Sequence, residues 1–460
     1  MARRFDAIII GAGQAGIPLA GRLSAAGKTV ALIERHLVGG TCVNTGCTPT
    51  KTLVASAEAI HTARRGADYG FTVGGPVTVD FPAVMARKDA VVAKSQQGLA
   101  GWIGGMENCT LIEGHARFET AKSVRVGDEV LQADAIFLNT GGRAAVPELP
   151  GVHDVPFLTN TSILQLSELP RHLAIVGGSY IGLEFGQIFR RLGSEVTIIE
   201  KGARLIARED EDVSEAVKGI LEAEGIGFRL DAECISLHPR ADGGVTVGVD
   251  CTSGEREVHA SHVLLAVGRR PNTDDLGLDK AGVATDERGF ITVDDRLETS
   301  VPGIYALGDC NGRGAFTHTS YNDFEIVAAN LLDGDDRRVS DRHECYALYV
   351  DPPLGRVGMT EAAVRKSGRK ALIGTRPMSR VSRATEKGVT EGFIKILVDA
   401  ETERFLGASI LGVGGDEVVH SILNLIYADA PYAVMARSVP IHPNVSELLP
   451  TIVQGLTPLE

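Results

Sequence analysis

Cys42 and Cys47 stand with four residues between them in "GGTCVNTGCTPTK", residues 39–51, directly after a glycine pair and shortly before Lys51. Zinc would need further ligands, and no second Cys/His pair at finger spacing accompanies these two; no metal site is expected. A structural disulfide across so short a loop restrains little unfolded-chain entropy, and a glutathione pool would tend to reduce it. The chemistry that remains is that of a redox couple. The stretch from Thr50, "TKTLVASAEAIHTARR", predicts a helix with Cys47 near its N-terminus. There the helix dipole and Lys51 favour thiolate over thiol.

Such a couple needs an electron carrier, and the neighbouring elements predict one. "DAIII", residues 6–10, is a continuous apolar run of the kind buried on both faces of a parallel sheet, and "GAGQAGIPLAGRLSAAG" follows as turn and helix. Gly11, Gly13 and Gly16 form GxGxxG: the first permits the tight turn, the second admits a pyrophosphate, and the third lets helix and strand pack closely. "TVALIE" closes the βαβ unit, with Glu34 placed to accept from a ribose hydroxyl. The pattern returns at residues 172–200, "HLAIVGGSYIGLEFGQIFRRLGSEVTIIE", with Gly177 and Gly182 in place and Ser179 at the middle glycine position. Glu200 at that strand end would accept from a ribose 2'-hydroxyl and repel a 2'-phosphate, which favours NADH over NADPH, although Lys201 and Arg204 stand nearby.

Two dinucleotide-binding units in one chain set the expected organisation. It is α/β: a first domain over 1–150, a second over 151–272, a return to the first over 273–341, and an α+β domain over 342–460. The last shows two β-rich runs joined by a charged turn, "GFIKILVDAETERFLGASILGVGG", then the helical "DEVVHSILNLIYADA". With 460 residues, 44% hydrophobic and 23% charged, the chain can build several cores. A net charge of −13 offers no basic footprint for nucleic acid or an anionic membrane. "MARRFDAIIIGAG" lacks the look of a signal peptide and no run reaches membrane-spanning length, so a reducing cytoplasm is expected.

"GGTCVNTGCTPTK", "GGSYIGLE", "AVGRRPNT", "VPGIYALGDC" and "IHPNVSELLP" together resemble the class I pyridine nucleotide-disulfide oxidoreductases, which include lipoamide dehydrogenase, glutathione reductase and mercuric reductase. The resemblance runs through essentially the whole chain. It implies two Rossmann-like domains, for FAD and for NAD(P), plus a C-terminal dimerisation domain. The FAD contacts it implies are Gly11, Gly13, Gly16, Glu34, Thr41, Lys51, Ala116 of "EGHARF", Thr140 and Gly141 of "NTGG", and Asp309 of "ALGDC", beside the ribityl chain. Gly177, Ser179, Tyr180, Gly182, Glu200 and Gly268 would meet the nicotinamide nucleotide. Lys51 and Glu184 match an ion pair beside the flavin, and Tyr180 matches an aromatic gate over the nicotinamide pocket. His442 and Glu447 of "HPNVSE" match an acid/base dyad carried into the partner subunit's active site, which implies a homodimer. The implied cycle carries hydride from NADH or NADPH through FAD to a Cys42–Cys47 disulfide, after which Cys42 attacks the substrate.

The substrate expected is a small disulfide or oxidant, because "FTHTSYNDFEIVAANLL" and "PPLGRVGMTE" look closest to a bacterial branch of reactive-chlorine resistance flavoproteins and hypothiocyanous acid reductases. Mercury(II) reduction is an alternative weakened by the absence of a vicinal cysteine pair near "IVQGLTPLE". Lipoamide or glutathione reduction is another, although the cysteine loop differs from "LNVGCIPSK". A flavin-bearing redox sensor is a rival of another class, but it has no need of His442 and Glu447. Cys109, Cys234 and Cys251 are expected as small buried hydrophobes, and Cys310 and Cys345 have no partner at redox spacing.

Overall fold

The computed structural model describes residues 2–250 and 255–460; Cys251 lies outside them. Its contacts divide the chain into two units, the first of residues 1–52, 85–145 and 268–342, the second of 53–84, 146–267 and 343–460.

In the first unit the apolar run forms the strand Ala7–Ile10, which is buried along its whole length. It lies third in a five-stranded parallel sheet, ordered Ile304–Ala306, Ala135–Leu138, Ala7–Ile10, Val30–Glu34, Cys109–Glu113. Both faces are covered: Ile8 and Ile10 pack into one core cluster, Ile9 into another. Full burial of each such side chain contributes about 1.5–3 kcal/mol, which is why the strand carries no polar alternation. A second sheet, holding Ala116–Thr120, Ser123–Val126 and Glu129–Gln132, covers one of those faces. The strand Arg269–Pro271 pairs with Gly142–Ala144, so the "AVGRRPNT" motif folds back onto the exit from the parallel sheet.

The second unit repeats the scheme on four parallel strands, ordered Gly227–Arg229, Glu195–Ile199, His172–Val176, His262–Leu265. The helix Tyr180–Leu192 buries ten of its residues, among them Leu183, Phe185, Ile188 and Phe189. A meander of Glu233–Pro239, Val245–Asp250 and Glu257–Ala260 packs against the parallel sheet, on Ala174, Val176 and Ile199. The C-terminal portion is a six-stranded antiparallel sheet in which the two β-rich runs, Phe393–Asp399 and Phe405–Leu411, are central and the helix His420–Tyr427 covers one face.

Three expectations about the cysteines need correction. The second cysteine helix begins at Cys47 itself, as Cys47–Arg64, rather than at Thr50, and Cys42 rides a separate short helix, Gly40–Thr45. Cys234 is exposed, not buried, because a register shift between Glu233 and Ser236 turns it out of the sheet at φ 51. Cys109 is only half-buried, at the margin of a core cluster.

Candidate active site

The redox centre belongs to the first unit. Gly46 separates the short helix of Cys42 from the long helix that begins at Cys47, and a side chain there would sit 2.9 Å from the Thr41 carbonyl. The turn brings the Cys42 and Cys47 thiols within hydrogen-bonding contact. The hydrogen bond with Cys47, followed by burial, pushes the Cys42 thiol well up. A neighbouring sulfur that would carry like charge disfavours ionisation of Cys42. Cys47, at the head of an 18-residue helix, takes the position that favours thiolate. The Thr317 hydroxyl lies 3.2 Å from Cys47 Sγ and eases the Cys42 thiol back down. Lys51 sits one helical turn beyond Cys47 on the same face.

The glycine turn beside this centre is shaped by close backbone approach. Gly11 has φ +106 with its added Cβ 2.2 Å from the Asn139 carbonyl, and a Cβ on Gly16 would lie 2.1 Å from the Gly11 carbonyl. Gly13 is held 2.8 Å from Asn139 Oδ1 by the same measure, and Gly40, next to Thr41, comes within 3.1 Å of Gly13 Cα. Glu34 accepts from the Ala12 and His36 amides at 2.9 and 2.8 Å, which sets its carboxylate across the mouth of the turn. Thr140 carries a buried hydroxyl that makes no hydrogen bond in the protein, beside the Cys310 thiol that burial pushes up to about 11. Gly141, at φ +66, leaves open space where a side chain would stand, whereas Ala116 is sealed in the core. Burial pushes the Asp309 carboxyl up, and Arg269, 3.6 Å away, pulls it back. A glycine cradle, an orphaned buried hydroxyl and a carboxylate at its edge fit a dinucleotide.

Several residues that build this cradle escaped sequence reasoning. Asn139 accepts from the Gly16 amide at 3.0 Å and donates to the Leu307 carbonyl at 2.9 Å, tying the helix start to the "ALGDC" turn. Asp323 accepts from the Gly308 amide and Asn311 and pairs with Arg342, fixing the other side of Asp309. Arg269 reaches the Gly142 carbonyl and, at 3.5 Å, the Thr41 hydroxyl. Gly268 lies at the start of this strand, in the first unit, at φ +119.

In the second unit Gly177, at φ +118, stands 2.4 Å by its added Cβ from the Ala266 carbonyl, and Gly182 would clash with the Gly177 carbonyl at 2.0 Å. Ser179 is the N-cap, exposed and extended at φ −112, so its side chain does not obstruct the turn. Glu200 accepts from the Gly178 and Gly202 amides at 2.6 and 2.8 Å. Tyr180 is the first helical residue, and Glu184, one turn later and buried, accepts from the Tyr349 amide at 3.0 Å. His442 Nδ1 and Glu447 Oε2 are 2.8 Å apart; the histidine side chain is 76% exposed and the glutamate 12%. Among the described residues no group of three or more His, Cys, Asp and Glu could hold a metal ion, and no helix is long and apolar enough to cross a membrane.

Residues 5–323 match the pyridine nucleotide-disulphide oxidoreductase family, and residues 345–453 match that family's dimerisation domain. The chain therefore belongs to the pyridine nucleotide-disulphide oxidoreductases, FAD-dependent flavoproteins that use a pyridine nucleotide. Within that class it is 38% identical over 456 residues to the probable pyridine nucleotide-disulfide oxidoreductase RclA of Escherichia coli K12, covering 97% of this chain and 98% of RclA. A dihydrolipoyl dehydrogenase of Thermus scotoductus is 34% identical (99% and 98% covered), and a mercuric reductase of Streptomyces lividans 32% (98% and 96%). The solved Cu(II) complex of the HOCl-induced flavoprotein disulfide reductase RclA from Escherichia coli superposes with a TM-score of 0.89 at 36% identity, covering 99% of each chain.

Proposed function

We propose that this flavoprotein disulfide reductase is a cytoplasmic homodimer that spends NADH, in preference to NADPH, on a small disulfide or an oxidant such as hypothiocyanous acid or a reactive chlorine species. One observation carries the reading: two thiols meet where a long helix begins, the Cys42 thiol raised by its hydrogen bond with Cys47 and by burial, and Cys47 at the helix N-terminus. RclA, described as HOCl-induced, is similar along the whole chain and supports the oxidant class. In this reading residues 1–150 and 273–341 hold FAD, 151–272 hold the nicotinamide nucleotide and 342–460 pair the subunits. The preference for NADH rests on Glu200, whose carboxylate faces two backbone amides at the strand end, while Arg204 is turned to the Ala207 carbonyl.

When bound, FAD supplies the acceptor that relays two electrons from the nicotinamide to sulfur. Gly11, Gly13, Gly16, Glu34, Thr41, Ala116, Thr140, Gly141 and Asp309 would hold it. Gly177, Ser179, Gly182, Glu200 and Gly268 would hold the nucleotide, with Tyr180 as its gate, and Lys51 with Glu184 would steady the arriving charge. In the reduced pair, Cys42 gives its proton to His442 and attacks one sulfur of the substrate, whose S–S bond breaks. His442, its tautomer held by Glu447, protonates the departing thiolate through Nε2. The Cys47 thiolate then attacks Cys42, the second thiol leaves, and the Cys42–Cys47 disulfide is restored. Two electrons and two protons convert one disulfide to two thiols, and NADH provides the electrons.

The test is steady-state NADH and NADPH oxidation by the holoprotein against glutathione disulfide, lipoamide, hypothiocyanous acid, hypochlorous acid, copper(II) and mercury(II). Disulfide or oxidant turnover with NADH is expected to exceed the metal rates, and Cys42→Ser is expected to abolish it with flavin still bound. Full turnover by Cys42→Ser would sink the scheme.

A further inference from the structure

Tyr180 opens the helix after the second glycine turn, the place where backbone amides face a nucleotide pyrophosphate. Its hydroxyl donates to Glu209 Oε1 at 3.1 Å, and the Tyr346 hydroxyl donates to the same oxygen at 2.6 Å. The two rings meet edge to face, centroids 5.5 Å apart, and the Arg208 guanidinium lies 5.9 Å from one and 5.8 Å from the other. Glu209 has no exposed side-chain surface. Its second oxygen stands 3.5 Å from Arg356 Nε, itself 1% exposed, and neither atom makes a hydrogen bond. Burial, and after it the charge of Glu209, keeps both phenols protonated, so both remain donors. A buried carboxylate is costly unless paired and hydrogen-bonded. Here the pairing with Arg356 is loose, and the two tyrosine hydroxyls supply the missing bonds.

The geometry points to Glu209 as a positioning residue that latches Tyr180 by its hydroxyl in the pose an incoming nicotinamide nucleotide must displace. The inference rests on reading Tyr180 as the gate of the nucleotide site. The latch sets how much of the nucleotide's binding energy goes into moving the ring. Tyr346 shares the latch: it donates to the same oxygen at shorter range, and the two hydroxyls bond each other as well. Removing the Tyr346 hydroxyl must therefore shift nucleotide affinity only while the Tyr180 hydroxyl is present. A packing role for the two rings would not produce that dependence.

The experiment measures the dissociation constant of NAD+ on the FAD-loaded protein by calorimetry and the KM and kcat for NADH. Tyr180→Phe is expected to tighten nucleotide binding by about three- to tenfold, the effect of one ordinary hydrogen bond. Tyr346→Phe is expected to shift it by about threefold, with KM moving more than kcat. The double variant should match Tyr180→Phe alone, because Tyr346 acts through the Tyr180 hydroxyl. Glu209→Gln should tighten binding as Tyr180→Phe does; if the uncompensated Arg356 prevents folding, the tyrosine pair decides the matter. Weaker binding by Tyr180→Phe, a double variant that differs from it, or affinities within about twofold of wild type, overturn the latch and leave the enzymatic reading intact. A wild-type holoprotein that binds neither NAD+ nor NADH overturns both.

Discussion

Glu447 shows how little a single residue type reveals and how much its partner does. Its carboxylate, 12% exposed, takes the Nδ1–H of a histidine that is 76% exposed, so His442 is held by one bond and presents Nε2 outward. A histidine so exposed has no packing reason to be fixed. Removing the imidazole with His442→Ala should lower disulfide turnover by about 10²–10⁴. Glu447→Gln keeps the shape but not the charge, and should cost about tenfold, or about 1.4 kcal/mol of transition-state stabilisation. In both variants stopped-flow reduction by NADH should run at the wild-type rate. An equal loss in that first half-reaction would move the dyad out of the thiol chemistry.

At the scale of elements, the two glycine turns are the same device used twice. In each, the third glycine lets a helix ride on the carbonyl of the first, at 2.1 Å for Gly16 on Gly11 and 2.0 Å for Gly182 on Gly177 if a Cβ were added. That contact is backbone against backbone, so no rotamer can relieve it. Gly16→Ala should therefore displace the start of the helix Gly16–Ala25 and lower the flavin-to-protein ratio of purified protein by about tenfold. Gly21→Ala lies in the same helix, but its Cβ would meet the half-exposed Trp102 ring at 3.3 Å and the flexible end of Met106 at 3.4 Å, side chains rather than backbone. It should keep its flavin, as read from the ratio of visible to ultraviolet absorbance. The turn motifs were legible from sequence because the constraint is local. Asn139 and Asp323, which brace the same turn, were not: their partners lie 123 to 168 residues and 12 to 19 residues away, and neither belongs to a spacing rule.

At the scale of the molecule, the segment that carries His442 is also the most exposed apolar stretch, with Val439 at 96% and Ile441 at 79%. Tyr427 and Val434 of the same unit add exposed apolar surface, in a region that matches the family's dimerisation domain. Charging it with Val439→Asp and Ile441→Asp should give a monomer by sedimentation velocity, with flavin content kept and turnover reduced by about a hundredfold. A fully active monomer would separate His442 from any partner subunit. The sequence alone determined the glycine turns, the redox cysteines, the acids at the strand ends and the α/β class, since each follows from short-range backbone geometry or from periodicity that a few adjacent residues impose. Tertiary structure alone decided that Cys47 and burial raise the Cys42 thiol, where the second cysteine helix begins, that Cys234 faces water, and that Glu209 joins Tyr180 to a tyrosine 137 residues beyond Glu209. Those outcomes depend on burial and on hydrogen bonds between distant segments, and neither quantity exists until the chain has closed on itself.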